Sequence, residues 1–427
     1  MVFVAVTFFG LLTIGMPVGF VLGVAGVVGI FDMGGGRFLA MVPDRFFAGL
    51  DLFPFLAMPF FILAGEIMNR SGITTNLVKL ADSLVGWLRG GMAHSNMVAS
   101  VLFAGITGSA TADTAAFGNT LVPAMVKNGY SRPMACAVTV AGSIIGPTIP
   151  PSTLAVIYGS IMGVSIAGLF AAGILPGLLI CAVCMALIAI NGKRWNFPEA
   201  NQKFSIKRVG VALKESVLAA ILPVFIIGSI LFGFATPTEA AAIAVAYALV
   251  VGGIIYRGLT WTDMYEMLVR TTRITGIIFV IIASATILGW WMTFNQIPQA
   301  IASGFLAISS NPKVIIGMIM VLLLFIGLFM DINATLIILA PVLAPLTVTI
   351  GMNPVHAGIV FILCLNISLM TPPVGACLFV LASVTGEKIE EITKALWPFI
   401  LAEFLVLILV AYWEGMTLAI PKFFGFY

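Results

Sequence analysis

A few small, hydroxylated and acidic residues interrupt a chain that is otherwise strongly apolar. Gly105, Gly108, Ser109, Thr111 and Asp113 break one apolar run, and Gly146-Pro147-Thr148-Ile149-Pro150-Pro151-Ser152 breaks the next. Gly327, Asp331 and Asn333, then Ser368, Thr371, Pro372, Pro373 and Val374, do the same 222 residues later. Few aligned side chains are identical, yet the helix-breaking positions coincide: Gly105 with Gly327, Pro123 with Pro345, Gly129 with Gly351, and Pro150-Pro151 with Pro372-Pro373. A helix interrupted in hydrocarbon bares N–H and C=O groups, which is costly unless protein, water or a ligand satisfies them. Freed carbonyls suit a hard monovalent cation, and helix N-termini favour an anion. Ser109, Thr111, Thr148, Ser152, Asn333, Ser368 and Thr371 would add side-chain oxygens. A single such break reads as a kink; two equivalent ones in two halves read as a binding site for a transported ion or solute.

Acidic residues at membrane depth are expensive and mark sites where they persist. Asp331 follows a wholly apolar run and is the stronger candidate; for Asp113 a functional role and a solvated or capping role weigh equally. Other polar residues have plainer readings. Thr236-Pro237-Thr238-Glu239 has the form of a capping box with proline at the first helical position. Glu66 and Arg70 are spaced i,i+4 and are expected to pair locally at a helix end. Glu403, within an apolar run, is read either as snorkelling or as pairing with a basic residue of a partner subunit. His94 and His356 stand at the ends of apolar runs and are read as interfacial rather than catalytic. Cys181-x-x-Cys184 is read as two small hydrophobes and not as a redox pair.

The elements that position these residues follow from hydropathy. The 427 residues are 61% hydrophobic and 9% charged, with a mean hydropathy of +1.16, whereas soluble domains carry about 25% charged residues. The chain is therefore an all-α polytopic membrane protein surrounded by lipid bilayer, with no nucleic-acid partner expected. Its longest polar stretch, 191–216, is too short for a soluble domain. Residues 1–14 lack the basic leader of a cleavable signal.

Residues 1–190 form the first half. Gly15-Met16-Pro17 divides its start into spans at 2–15 and 17–31, followed by an amphipathic segment at 35–51, a span at 53–69 and a second amphipathic segment at 73–89. A re-entrant helical hairpin at about 94–128, a broken helix at about 132–163 and a span at 165–190 complete it. The basic segment 191–216 links to the second half, 217–427, where spans at 217–234 and 237–256 precede an amphipathic stretch at 259–273 and a span at 274–294. An amphipathic piece at 297–309, a hairpin at about 312–350, a broken helix at about 354–385 and a last span at 396–413 follow. The expected fold is two inverted-topology repeats, each of about five transmembrane helices plus one re-entrant hairpin. Inversion follows because five crossings are odd. With the linker in the cytoplasm, every one of the 20 Lys and Arg lies inside except Arg37, Arg45, Lys313 and Lys422, as the positive-inside rule requires. Both termini then face outward.

The motifs at 105–118 and 370–375, on this doubled plan, resemble the large membrane (M) subunit of the TRAP transporters, the tripartite ATP-independent periplasmic family. The resemblance covers essentially the whole chain and is to the unfused form. It implies sodium-driven uptake of a carboxylate solute, sialic acid or a C4-dicarboxylate, across the bacterial inner membrane. It also implies a periplasmic solute-binding protein and a small four-helix membrane subunit as partners, no cofactor beyond sodium as coupling ion, and no enzymatic activity. An elevator mechanism is implied, in which a domain holding the hairpins and broken helices slides against a scaffold. The resemblance places one sodium site at Gly105, Ser109, Gly146 and Pro150 and another at Gly327, Ser368, Thr371 and Val374, with many ligands being backbone carbonyls. The anion would lie between the hairpin tips, near Thr111, Asp113, Thr148, Ser152, Asp331 and Asn333. The sequence offers no basic residue at membrane depth to meet a carboxylate, so helix N-termini and polar side chains must suffice, or an arginine must reach in from the interface.

Two other classes compete. A stand-alone sodium- or proton-coupled carrier of the divalent-anion type would share the hairpins and inverted halves, and would transport without partners. An intramembrane hydrolase would use Gly108-Ser109 as a nucleophile turn, but needs a general base in reach, and both histidines are placed far off at the interfaces. A primary pump is disfavoured because no GxxxxGK[ST] run occurs.

Overall fold

The structure, a computed structural model, describes residues 1–34, 36–199 and 203–426. Gly35, in the first expected amphipathic segment, and 200–202, in the expected linker, lie outside the described residues. All regular elements among the described residues are helical.

The first half opens with α1 (Val2–Thr13), α2 (Val18–Gly34), α3 (Gly36–Leu39) and α4 (Met41–Ala48), then α5 (Ala57–Arg70) and α6 (Ile73–Val85). Its hairpin is α7 (Gly91–Thr107) and α8 (Ala110–Lys127), its broken helix α9 (Arg132–Ser143) and α10 (Thr153–Met162), and α11 (Ile166–Asn191) closes it. The second half runs α12 (Ile206–Leu231), α13 (Pro237–Leu249), α14 (Trp261–Phe294) and α15 (Ile297–Ile308). Its hairpin is α16 (Pro312–Gly327) and α17 (Ile332–Thr349), its broken helix α18 (Pro354–Ser368) and α19 (Ala376–Thr385), and α20 (Ile389–Tyr412) and α21 (Gly415–Phe424) end it. Helices end at Thr107, Ser143, Gly327 and Ser368 and resume at Ala110, Thr153, Ile332 and Ala376, and the peptide bonds Pro150-Pro151 and Pro372-Pro373 are both cis.

Three elements depart from expectation. The amphipathic stretch at 259–273 and the following span are one 34-residue helix, α14, because no breaker separates them. In the first half the equivalent pieces bend by 53°. Helix α12 starts at Ile206, inside the expected linker, and α21 follows the last expected span. Among the described residues six helices are long and apolar enough to cross a membrane, or seven with the bent pair counted as one span. One of the six is α17, the returning arm of the second hairpin.

Helix pairs recur with the halves exchanged. α2 packs on α14 and α13 on α5; α8 meets α19 and α17 meets α10; α9 meets α20 and α18 meets α11. Small residues allow the first two contacts, as apolar membrane helices require for close approach. On α13 they are Ala240, Ala241, Ala244 and Ala248, all buried. On α2 they are Gly19, Gly23, Gly26 and Gly29, facing α14 from Val280 to Trp291. A Cβ on Gly26 would stand 2.9 Å from the Leu288 backbone nitrogen, and backbone cannot swing aside. Gly26→Leu is therefore expected to cost about 3 kcal/mol or more by overpacking, read as a lower unfolding temperature and lost monodisperse yield in detergent. Gly10→Leu, where nothing lies within 4 Å, should change neither.

Local devices end the helices. The Thr236–Glu239 capping box forms in both directions, Glu239 N–H donating to Thr236 Oγ1 at 3.3 Å and Thr236 N–H to Glu239 Oε2 at 2.8 Å. Thr260 and Asp263 do the same at the start of α14. The five cysteines are free and buried.

The two histidines, in the first turns of α7 and α18, are buried within the protein, 2% and 1% exposed. His356 pins α21 to the end of α20 through Thr417 Oγ1 at 2.7 Å and the Ala411 carbonyl at 3.2 Å. Glu403 neither snorkels nor faces a partner subunit. It is wholly buried, with Cys184 Sγ donating to Oε1 at 3.7 Å.

Candidate functional site: two helix breaks and the cavity between the hairpin tips

Each hairpin tip is built by a short polar sequence that caps one arm. Helix α7 ends at Thr107; Gly108 turns the chain with φ +58, its Cα against the Pro151 carbonyl so closely that no side chain fits. Ser109 then caps α8, accepting the Ala112 N–H at 3.5 Å and lying 3.2 Å from the Thr111 hydroxyl. In the second hairpin the cap is Asp331, whose Oδ1 accepts the N–H groups of Asn333 at 3.0 Å and Ala334 at 3.1 Å. Ser109 and Asp331 stand 222 residues apart, the offset of the two halves, so the same capping job is done by a hydroxyl in one and a carboxylate in the other.

The two aspartates differ in burial. Asp331 is exposed and its carboxylate is spent on capping. Asp113 is fully buried. The Thr107 hydroxyl donates to its Oδ1, while its Oδ2 has no hydrogen-bond partner among the described residues. That oxygen lies against Gly146, at the first helix break, where a Cβ would collide with it. In the second half Gly327 takes the same kind of close approach, against the Ser368 hydroxyl, which donates to the Leu365 carbonyl at 2.6 Å. The breaks are joined to each other and to a tip: Asn366 Nδ2 donates to Thr148 Oγ1 at 3.1 Å, and Thr153 Oγ1 to the Gly108 carbonyl at 3.4 Å. Asn366 Oδ1, like Asp113 Oδ2, is buried without a partner among the described residues. Orphaned acceptor oxygens beside broken helices suit a cation.

A cavity of about 420 Å³ opens between the tips. Thr107, Ser109 and Thr111 line it from the first hairpin, Asp331 and Asn333 from the second, and Thr153 from the first broken helix. The facing wall is Glu66 and Asn69 on α5 with Arg270, Ile274, Ile277 and Ile281 on α14. Three of the expected solute contacts, Thr111, Asp331 and Asn333, thus meet at one cavity. Asp113, Thr148 and Ser152 lie behind it. Ser152 caps α10, accepting the Ala155 N–H at 3.3 Å and donating to the Pro147 carbonyl at 2.6 Å. Of the expected sodium ligands, Gly105 turns its bare Cα to Pro223 of α12, and Thr371 donates to the Ile367 carbonyl at 2.7 Å. Pro150 is buried and Val374 is 40% exposed.

Arg270 is the residue that sequence reasoning missed. Its Nε lies 3.2 Å from Glu66 Oε1 and its Nη1 3.4 Å from Oε2. The expected Glu66–Arg70 pair does not form, because α14 runs alongside α5 and offers each a cross-helix partner. Arg70 bonds Glu266 at 2.7 Å and Asp263 at 3.2 Å. The signal for Arg270 was its register: 270, 274, 277 and 281 are one helical ridge, so the arginine continues an isoleucine face.

The chain matches the family described as "Tripartite ATP-independent periplasmic transporter, DctM component" over residues 5–416. It is 38% identical to the sialic acid TRAP transporter large permease protein SiaM of Vibrio cholerae, over 97% of both chains. It is 33% identical to the C4-dicarboxylate TRAP transporter large permease protein DctM of Pseudomonas aeruginosa, over 95% of this chain and 94% of that one. In fold it is similar to the YdaH transporter of Alcanivorax borkumensis, with a TM-score of 0.63 and 18% identity over 90% of each chain.

Proposed function

The chain belongs to the DctM-component family of tripartite ATP-independent periplasmic transporters, whose members named above are transport permeases rather than enzymes, and from that premise we propose that it is the large permease subunit of a sodium-coupled importer of a carboxylate solute, sialic acid or a C4-dicarboxylate. The observation that carries the reading is the cavity between the two hairpin tips with Arg270 in its wall.

A guanidinium is a planar fork that takes a carboxylate by two parallel bonds. Arg270 would receive the solute's carboxylate there. Ser109, Thr111, Thr153 and Asn333 would hydrogen-bond its hydroxyl or amide groups. Ile274, Ile277 and Ile281 would exclude water, as apolar walls with few polar groups do in ligand sites generally. Sodium would bind behind the tips at the two breaks, near Ser109, Gly146 and Asp113 in the first half and near Gly327, Ser368 and Thr371 in the second. A cation there would fix the tips that shape the cavity, which couples the ion to the solute.

The cavity lies between two groups of helices that carry different parts of it. Hairpins and broken helices supply one wall, α5 and α14 the other. Sliding of the first group against the second is the elevator movement proposed here. The exchange symmetry of the helix contacts supports two repeats, and the excess of Lys and Arg on one side would put 191–216 in the cytoplasm and both termini in the periplasm. The chain would sit in the bacterial inner membrane, with a periplasmic binding protein delivering the solute and a small four-helix subunit bracing it.

Uptake of labelled sialic acid and succinate into proteoliposomes tests this. With chain, small subunit and binding protein together, an inward sodium gradient is expected to drive uptake of one of them, and a matched potassium gradient is not. Uptake equal in sodium-free buffer overturns sodium coupling, and full uptake by the chain alone makes it a stand-alone carrier.

A further inference from the structure

The cavity's guanidinium already holds a carboxylate, and that carboxylate belongs to the protein. Arg270 is the only cation lining the cavity among the described residues, and Glu66 engages two of its nitrogens. Glu66 and Asp331 together outnumber it. A solute carboxylate therefore enters a lining that is net negative, and it needs the same fork that Glu66 occupies.

Glu66 is not required to hold the wall together. α5 and α14 pack against each other, and Arg70 bonds both Asp263 and Glu266 across the same interface. Glu66 is 8% exposed and its side chain is held by α5, whereas the Arg270 side chain is 49% exposed and faces the open space. The arginine can turn from one carboxylate to another; the glutamate stays.

Resting on the carrier reading of this cavity, we propose that Glu66 is a built-in competitor for Arg270, a positioning residue that sets solute affinity. An entering carboxylate takes the guanidinium from Glu66. Two carboxylates beside one guanidinium repel at low dielectric, so the return of Glu66 promotes solute release. Without Glu66 the arginine would be an unopposed anion site, which binds tightly and turns over slowly.

The test uses the purified chain in lipid nanodiscs, titrated with sodium acetate against sodium chloride at constant sodium, with the unfolding temperature as readout. Acetate is expected to stabilise the wild type, and Glu66→Gln is expected to lower the half-effective acetate concentration about tenfold, equivalent to ~1.4 kcal/mol. Arg270→Gln should abolish the response. Arg70→Gln, which loosens the same helix pair away from the cavity, should leave the acetate midpoint where it was. In proteoliposomes Glu66→Gln should lower both KM and Vmax for the transported carboxylate. No acetate response in the wild type, an unchanged midpoint in Glu66→Gln, or the same shift in Arg70→Gln overturns the proposal. An acetate response of the expected pattern with no uptake of any carboxylate upholds the competition and sinks the carrier reading instead.

Discussion

Arg270→Gln is expected to lower sodium-driven uptake, as Vmax/KM, on the order of a hundredfold. Losing a hydrogen bond to a charged group costs about 1.5–3 kcal/mol, and about 1.4 kcal/mol is tenfold. Two losses combine here. The solute loses its only guanidinium in the cavity among the described residues, and Glu66, 8% exposed, is left as an unpaired carboxylate where the solute must sit. Arg270→Lys keeps the charge and loses the fork, so it should recover only part of the rate. The double variant Glu66→Gln with Arg270→Gln should regain stability without regaining uptake. Measured at matched surface expression, a fall of less than about threefold in Arg270→Gln would remove this residue from the solute site.

Gly146→Ala carries the second large effect, and under the sodium coupling proposed above it would act on the ion. The added methyl would land on Asp113 Oδ2. Asp113 cannot yield easily: it is wholly buried, and its other oxygen accepts the Thr107 hydroxyl at the hairpin tip. Either that bond breaks or the end of α9 shifts away from α8. The sodium concentration for half-maximal uptake is expected to rise tenfold or more, ~1.4 kcal/mol or above, and stabilisation of the purified chain by sodium over potassium should largely vanish. Gly327→Ala meets the Ser368 hydroxyl instead, a smaller, neutral group, and its effect should be the milder of the two. Sodium dependence in Gly146→Ala equal to wild type would separate this break from ion binding.

The repeated breaks were legible because they rest on residue types with few alternatives. Glycine and proline interrupt helices through their own backbone chemistry, so helix ends at Thr107, Ser143, Gly327 and Ser368 lie beside the residues that marked them. The capping box at Thr236 was legible for the same reason, since all its partners lie within four residues. What failed was each expectation that needed a partner distant in sequence. Glu66 and Arg70 match an i,i+4 pair, but α14 brings Arg270, Asp263 and Glu266 across from two hundred residues away. Asp331 looked costly because its neighbours are apolar, yet two adjacent N–H groups satisfy it; Asp113, with small and polar neighbours, is the one buried with an oxygen unmatched.

Composition and breaker spacing alone determined that this is a helical membrane protein with two equivalent interrupted regions, because hydropathy and backbone constraints are properties of the local chain. Tertiary structure alone decided which polar groups face one another. The cavity wall is made by α5 and α14, which the sequence separates by almost half the chain. Arg270 enters it only because α14 continues unbroken through a stretch that reads as surface. Whether a charged side chain is spent on a cap, paired across helices or aimed into a cavity depends on what packs beside it, and periodicity within one segment carries no record of that neighbour.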